Sequence, residues 1–463
     1  MITAFESANE ASLLKEAVAY YHSLLDDADL ASSSYQLLHD SLEKNKLIFG
    51  GRPLSPYLRP HFVTESDWAR ATLICEVVWS ALQKVKDAAV ADDAILDELG
   101  MTEVEHDLVK IDPGYAQVSP TSRLDSFLTE DAYSFVELNG ESPAGIAYAD
   151  SATEIFQSLP VMKKFAERYN VRGFDGRPKM LDVLLRCYEE FCGGKAEKKP
   201  VIAIVDLKDL PTLKEFELFH DYFESQGYDC VICSPDELHF DGKLFFGSVA
   251  IDVVYKRLLV NEYLPIMDKY PALLDACRAG AVCMVNSFRG KLVHKKAIFA
   301  VLTNEKYEHL FNAEELAAIS AHVPWTRKFR EEKTINHGDE IDLVPWTRAN
   351  SQKLVLKPND DYGGHGIFIG WSSTESEWDQ AITTALESGD YLVQERVKTA
   401  RETFPMIHDE LGKWTMIEQL VDLDPLLFNG KVGSAFTRLS SSELANVTAG
   451  GGMVPTFVID RKE

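Results

Sequence analysis

Apolar positions over the first 110 or so residues recur at helical spacing, and Leu14, Val18, Tyr21 and Leu25 form a single stripe. A second helix is predicted to open at Thr64, whose hydroxyl can cap the first turn, with Asp67 three residues on and Trp68, Cys75, Val78 and Leu82 continuing its apolar side. Tyr133 to Asn139 reads as a strand, and helix returns between about Ala152 and Phe191. The Gly193-Gly194 pair and the lysine-rich KAEKKP segment then break the pattern, as a domain boundary would.

Beyond that linker, VIAIVDL reads as a buried strand, TLKEFELFHDYFESQG as an amphipathic helix ended by Gly227, and YDCVICS as another buried strand. This is a βαβ unit, extended by KLFFG and AIDVVYKRLLV into an α/β lobe over about 198–290. It has no GxGxxG turn, so a dinucleotide site is not expected. In the last part KLVLKP and GIFIGW flank a glycine loop, WDQAITTALESG is a helix and YLVQERV a strand. The Asn429-Gly430 dipeptide between apolar alternations predicts a hairpin. The fold class is α/β, or α+β.

Composition narrows the partners. A net charge of -26 repels nucleic acid and anionic membranes, and serves solubility or, alternatively, attraction of a cationic substrate such as a polyamine. Seven scattered cysteines in a chain of 463 residues fit reduced thiols in a cytoplasm. Cys230 and Cys233 have CxxC spacing, but a strand would send their sulfurs to opposite faces. MITAFESANE has no secretory pattern, and no apolar run reaches the roughly 20 residues that cross a bilayer.

The candidate chemistry begins in SRLDSFLTEDAYSFVELNGESPAG, which reads as two strands joined by a polar turn. A tip at Asp131 sets Asp125 opposite Glu137, Arg123 opposite Asn139 and Phe127 opposite Phe135, all six on one face. Facing carboxylates repel unless a cation lies between them. Asp125, Glu137 and the Asn139 amide oxygen are hard ligands of the kind Mg2+ takes, and Arg123 beside them suits a transferring phosphoryl group.

In LVLKPNDDYGGHGIFIGW a strand delivers Lys357 to a loop carrying Gly363, Gly364 and Gly366, where bare backbone N–H groups can approach phosphate. No Walker A motif is formed. Asp360 and Asp361 in that loop would face anions unless they turn outward or meet a metal. Lys296 in KLVHKKAIFAVL is expected to point inward, with Lys295 as its solvated neighbour. Gln394 and Glu395 end a strand where a hinge can hydrogen-bond a purine, and Arg438 lies on the strand after the Asn-Gly turn.

In this order these residues resemble the circularly permuted ATP-grasp family that includes glutathionylspermidine synthetases, and are similar more distantly to glutathione synthetases. The likeness spans roughly 55–460 and is most specific at RLD and VELNGESP. It implies an ATP-grasp fold with an added helical N-terminal region over 1–115, metal-site hairpin and helices over 116–195, an α/β lobe over 196–290, and ATP-grasp lobes with a glycine lid over 291–463. It implies ATP and Mg2+, with Asp125, Glu137 and Asn139 on the metal and Arg123 at the transition state. Lys296 and Lys357 would meet the phosphates, Gly363 and Gly364 would form the lid, and Arg438 would hold phosphate or acyl phosphate. The reaction implied joins a small carboxylate to an amine with release of ADP and phosphate. No amidase unit accompanies it. A non-catalytic nucleotide- or partner-binding scaffold is the alternative.

Overall fold

A computed structural model describes residues 8–49, 51–361, 363–408, 413–443 and 451–462. Residues 1–7, part of the segment without a secretory pattern, and Tyr362 of the glycine loop lie outside them.

The chain opens with the helices Ala8–Leu24 and Ala28–Lys44. On the first, the buried ladder is Leu13, Ala17 and Tyr21, continued by Leu25 just past its end, while Leu14 and Val18 are half-buried beside it. The Tyr21 ring meets Phe62 and Phe165 edge-on, which ties this helix to the rest of the core. The helix Glu65–Ala91 starts where expected: Thr64 Oγ1 accepts from Asp67 N at 3.2 Å, and Trp68, Cys75, Val78 and Leu82 are buried. Such a cap is worth about 1 kcal/mol. The expected helical run from Ala152 to Phe191 is instead two helices, Ile146–Ser158 and Pro160–Phe165, then a strand, Tyr169–Arg172, then the helix Gly176–Phe191. That strand exists because it lies against Thr456–Arg461, which also pairs in parallel with His61–Thr64. A partner almost 300 residues away is invisible to local periodicity.

Three sheets position the site. The βαβ unit forms as predicted, Ile202–Val205, helix Leu213–Ser225 and Cys230–Cys233, inside a four-stranded parallel sheet ordered Cys283–Val285, Val253–Lys256, Ile202–Val205, Cys230–Cys233. A second sheet orders Thr326–Lys328, Tyr391–Glu395, Leu354–Pro358 and Phe368–Ile369, antiparallel throughout. The third is built on the long strands Trp414–Phe428 and Lys431–Ser440, joined by Asn429 and Gly430, whose φ values of 48° and 76° suit the twisted two-residue turn. Ala400–Ile407 pairs with the first half of Trp414–Phe428, and Thr121–Leu128 with its last residues. The hairpin Thr121–Leu128 and Tyr133–Asn139 thereby joins a sheet made 280 residues later in the chain.

Within that hairpin Arg123 does pair with Asn139 and Asp125 with Glu137. The Phe127–Phe135 pairing does not form: the register slips after Asp125, Phe127 meets Ser134, and Ser126 meets Phe135. The extra residue in one strand makes a bulge, which turns Phe135 into the core with Leu124 and Leu138 and leaves Val136 on the other side. Among the described residues, no helix is long and apolar enough to cross a membrane.

Candidate active site

The three sheets contribute to one cavity of about 590 Å3. Arg123, Asp125, Glu137, Asn139, Lys357, Gly363, Gly364, Gln394, Glu395 and Arg438 all line it. Lys296 does not, but its Nζ lies 3.5 Å from Glu137 Oε1 and donates to the Asp361 carbonyl at 2.5 Å.

Asp125 is the hub. Arg123 donates to it twice, Nε to Oδ1 at 2.8 Å and Nη2 to Oδ2 at 3.1 Å. Asn139 Nδ2 donates to Oδ1 at 2.9 Å and Arg438 Nη2 to Oδ2 at 2.5 Å. Burial pushes its carboxyl up, but the Arg123 and Arg438 guanidiniums hold it well below the usual carboxylate range. As placed here, Asn139 turns its amide nitrogen, not its oxygen, to Asp125.

Two further acids share this place, Asp422 and Asp424, which the sequence reading missed. Their oxygens and those of Asp125 lie within 4.8 Å of one another. The LVDLDPL alternation puts both on one face of Trp414–Phe428, which was the available signal; a count back from the Asn-Gly turn sets Asp422 opposite Thr437, and the register shift at Leu426 and Leu427 brings Arg438 there instead. Arg438 Nη2 donates to Asp422 Oδ2, and Arg438 Nε is 3.0 Å from Asp424 Oδ2. Burial raises both carboxyls against the pull of Arg438, Asp424 the more strongly. Asp422 Oδ1 and Asp424 Oδ2 are buried and accept no well-aligned hydrogen bond among the described residues. Such oxygens call for a proton or a cation. Asp125, Asp422 and Asp424 offer an all-oxygen donor set of the kind Mg2+ takes, with Glu137 on the same cavity wall, so the residues present fit that ion.

At the glycine loop, Lys357 Nζ donates to Gln394 Oε1 at 2.8 Å and to the Val136 carbonyl at 3.2 Å. Burial lowers its ammonium to about 8, with Glu137 resisting. Gly363 and Gly364 have φ values of 73° and 77°, a backbone that side chains rarely allow. Asp360 turns out of the cavity and pairs with Lys291 at 2.5 Å and Lys295 at 3.0 Å. Lys295 is therefore not a solvated neighbour of Lys296; it is buried, with Glu105 at 3.2 Å as a second partner. The apolar segment after it packs into the core, and the acids of two other segments follow its charge inward.

At the strand end, Gln394 Nε2 donates to Thr326 Oγ1 at 3.1 Å, and Glu395 accepts from Asn336 Nδ2 at 3.1 Å and meets His337 Nε2 at 2.9 Å. The backbone N–H groups of Glu395 and Arg396 are already taken by Trp325 O and Lys353 O.

No family model matches the chain, and no curated protein matches it. Among solved structures it is similar to a glutathione synthetase-like effector from Globodera pallida in its apo form, with a TM-score of 0.60 and 15% identity over 93% of this chain and 98% of that one. A protein from Methylobacillus flagellatus named for gamma-glutamylcysteine synthetase gives 0.36 and 10% over 71% and 76%. D-alanyl-alanine synthetase A from Vibrio cholerae gives 0.25 and 11% over 49% and 68%. The first likeness establishes a shared fold; the other two carry no argument.

Proposed function

We propose that this chain is an ATP- and Mg2+-dependent ligase of the circularly permuted ATP-grasp type, joining a small carboxylate to an amine through an acyl phosphate. The observation that carries the reading is the meeting of Arg123, Asp125 and Glu137 with Lys357 and the glycine loop in one cavity, from segments more than 200 residues apart. Permutation is inferred from chain order, since the acid-bearing hairpin precedes the glycine loop yet shares a sheet with strands that follow it.

Asp125, Glu137 and Asn139 would hold Mg2+, with Asp422 and Asp424 behind them. The ion would neutralise charge on the phosphates. Lys357 and the N–H groups of Gly363 and Gly364 grip the terminal phosphates, and Lys296 stands by Glu137 as a further positive charge. The purine lies against Gln394 and Glu395. Arg123 and Arg438, held by carboxylates, present guanidiniums to the phosphoryl group as it passes to the substrate carboxylate. The amine, as its free base, then attacks the acyl carbon, phosphate leaves, and the proton lost from nitrogen passes to phosphate or water.

A carboxylate labelled in its oxygens, incubated with ATP, Mg2+ and a mixed amine pool, is expected to release labelled phosphate in step with ADP and amide. AMP and pyrophosphate in their place would make the enzyme an adenylate-forming ligase. One observation favours the scaffold alternative: both Asp125 oxygens are already bonded by Arg123, Asn139 and Arg438. Nucleotide binding without ADP release from any carboxylate would establish that reading instead.

A further inference from the structure

The cavity extends away from the glycine loop to the parallel sheet. There Ile202–Val205 and Val253–Lys256 are neighbours, and each has as its other neighbour the strand that follows it in the chain. The strand order therefore reverses between them, and a crevice opens at their carboxyl ends, the place where open parallel sheets bind ligands. Asp206 is the first residue past one strand and Arg257 the first past the other, and both line the cavity.

Their charges are not matched to each other. Arg257 is largely engaged elsewhere: Nη1 donates to the Pro143 carbonyl at 2.7 Å and to Tyr255 at 3.0 Å, and Nη2 to Glu215 at 3.2 Å, while its buried Nε has no hydrogen-bond partner among the described residues. Glu262, also on the cavity wall, accepts from Leu259 N at 3.0 Å as part of a helix cap. Asp206, only 7% exposed, accepts from Leu207 N through Oδ1 at 2.7 Å, and Oδ2 has no hydrogen-bond partner among the described residues. Burial pushes its carboxyl up to about 6, with Arg257 pulling the other way. It makes no ion pair at contact distance among the described residues, although the Arg257 charge reaches it. The same cavity is lined by the hydrocarbon of Leu210, Pro211 and Leu259, beside the polar Thr212 and Glu262.

We propose that this crevice holds the amine substrate as a monocation with an apolar body, Asp206 taking the ammonium and Leu210, Pro211 and Leu259 the hydrocarbon. The assignment rests on the ligase reading, which supplies the need for an amine. Of the two carboxylates here Glu262 is engaged in its helix cap, so Asp206 takes one charged centre and a second ammonium has no equivalent partner.

Calorimetric titration of the full chain with hexylamine, hexan-1-ol and 1,4-diaminobutane tests this. Hexylamine is expected to bind saturably, and the alcohol and the diamine about tenfold more weakly or worse. D206N should weaken hexylamine by about tenfold and leave hexan-1-ol unchanged. L210S should weaken hexylamine but not the diamine, a check independent of how D206N folds. The proposal is overturned if hexylamine fails to bind, if D206N binds it as the parent does, or if the diamine binds more tightly. Binding needs no turnover, so the two readings separate: hexylamine bound at Asp206 with no ADP released from any acid would remove the ligase and leave the subsite. Turnover indifferent to Asp206 would do the reverse.

Discussion

Two of the buried charge clusters among the described residues are finished differently. In one, Lys291 sits 3.1 Å from Glu141 and 2.5 Å from Asp360, Lys295 joins Asp360 at 3.0 Å to Glu105 at 3.2 Å, and Lys256 lies 3.3 Å from Glu141. Every acid there has a lysine. Burial pushes Glu141 and Asp360 up, but Lys291 chief among their neighbours brings both below the ordinary carboxylate range. In the other, around Asp125, acids outnumber the two arginines, burial lifts Asp422 and Asp424, and the group opens on a cavity. Buried charge alone does not mark a site; a surplus facing a cavity does.

The largest expected difference is in turnover. D125N, which keeps the shape and removes the charge, should cut ADP release by about 10^4-fold or more, roughly 5 kcal/mol of transition-state stabilisation. K291M should leave turnover per folded molecule within a few-fold and lower unfolding stability by about 3–5 kcal/mol, since Glu141 and Asp360 would lose a buried partner. Rates from initial velocities and stabilities from denaturant titration check both. A K291M variant that is folded but inert would erase the distinction between the clusters.

A smaller effect compares Asp206 with Glu141, both buried and shifted oppositely. The folded chain holds the Asp206 proton up to about 6, the unfolded chain only to its ordinary 3.8. Between these values the folded state binds more protons, so stability from this group is full below about 4 and falls as pH rises through 6. D206N should remove that loss and be more stable than the parent at pH 7 by about 3 kcal/mol, with no difference at pH 4. Equal pH profiles for the two proteins would show that Asp206 finds a counter-charge in solution.

How far the sequence foretold these clusters depends on where each residue's partner sits. Arg123, Asp125, Glu137 and Asn139 pair as counted because the bulge offsets a turn that closes Leu128 on Tyr133 instead of Ser134. The count failed between the turn and the bulge, at Phe127 and Phe135, since an extra residue leaves no local signature. Asp422 and Asp424 were written in the DLD alternation, but their meaning needs the pairing of residue 426 with 123. Lys295 was misjudged because its partners, Glu105 and Asp360, come from distant segments. Asp206 ends a strand that was correctly predicted; its exposure to a cavity follows from strand order, which no periodicity encodes.

The smallest effect concerns the glycine loop, where the closed cluster and the cavity meet. Asp360 at the loop's root is clamped by Lys291 and Lys295, and Asn359 is fixed by donating to Leu99 O at 3.0 Å and Asp390 Oδ1 at 3.0 Å. Beyond that root Gly363, Gly364 and Gly366 all have positive φ, and the first two border the cavity. Motion on nucleotide binding should therefore begin past the clamp. Hydrogen exchange, with and without a non-hydrolysable ATP analogue and Mg2+, should slow by about tenfold at Gly363 to Gly366, about 1.4 kcal/mol of added protection, and stay unchanged from Leu354 to Asn359. In K291M the protected stretch should lengthen toward Asp360, because the root keeps only one of its two lysines, Lys295. Slowing that covers the strand and the loop alike in the parent would mean that the whole strand moves, and that the lysine clamp is not the hinge.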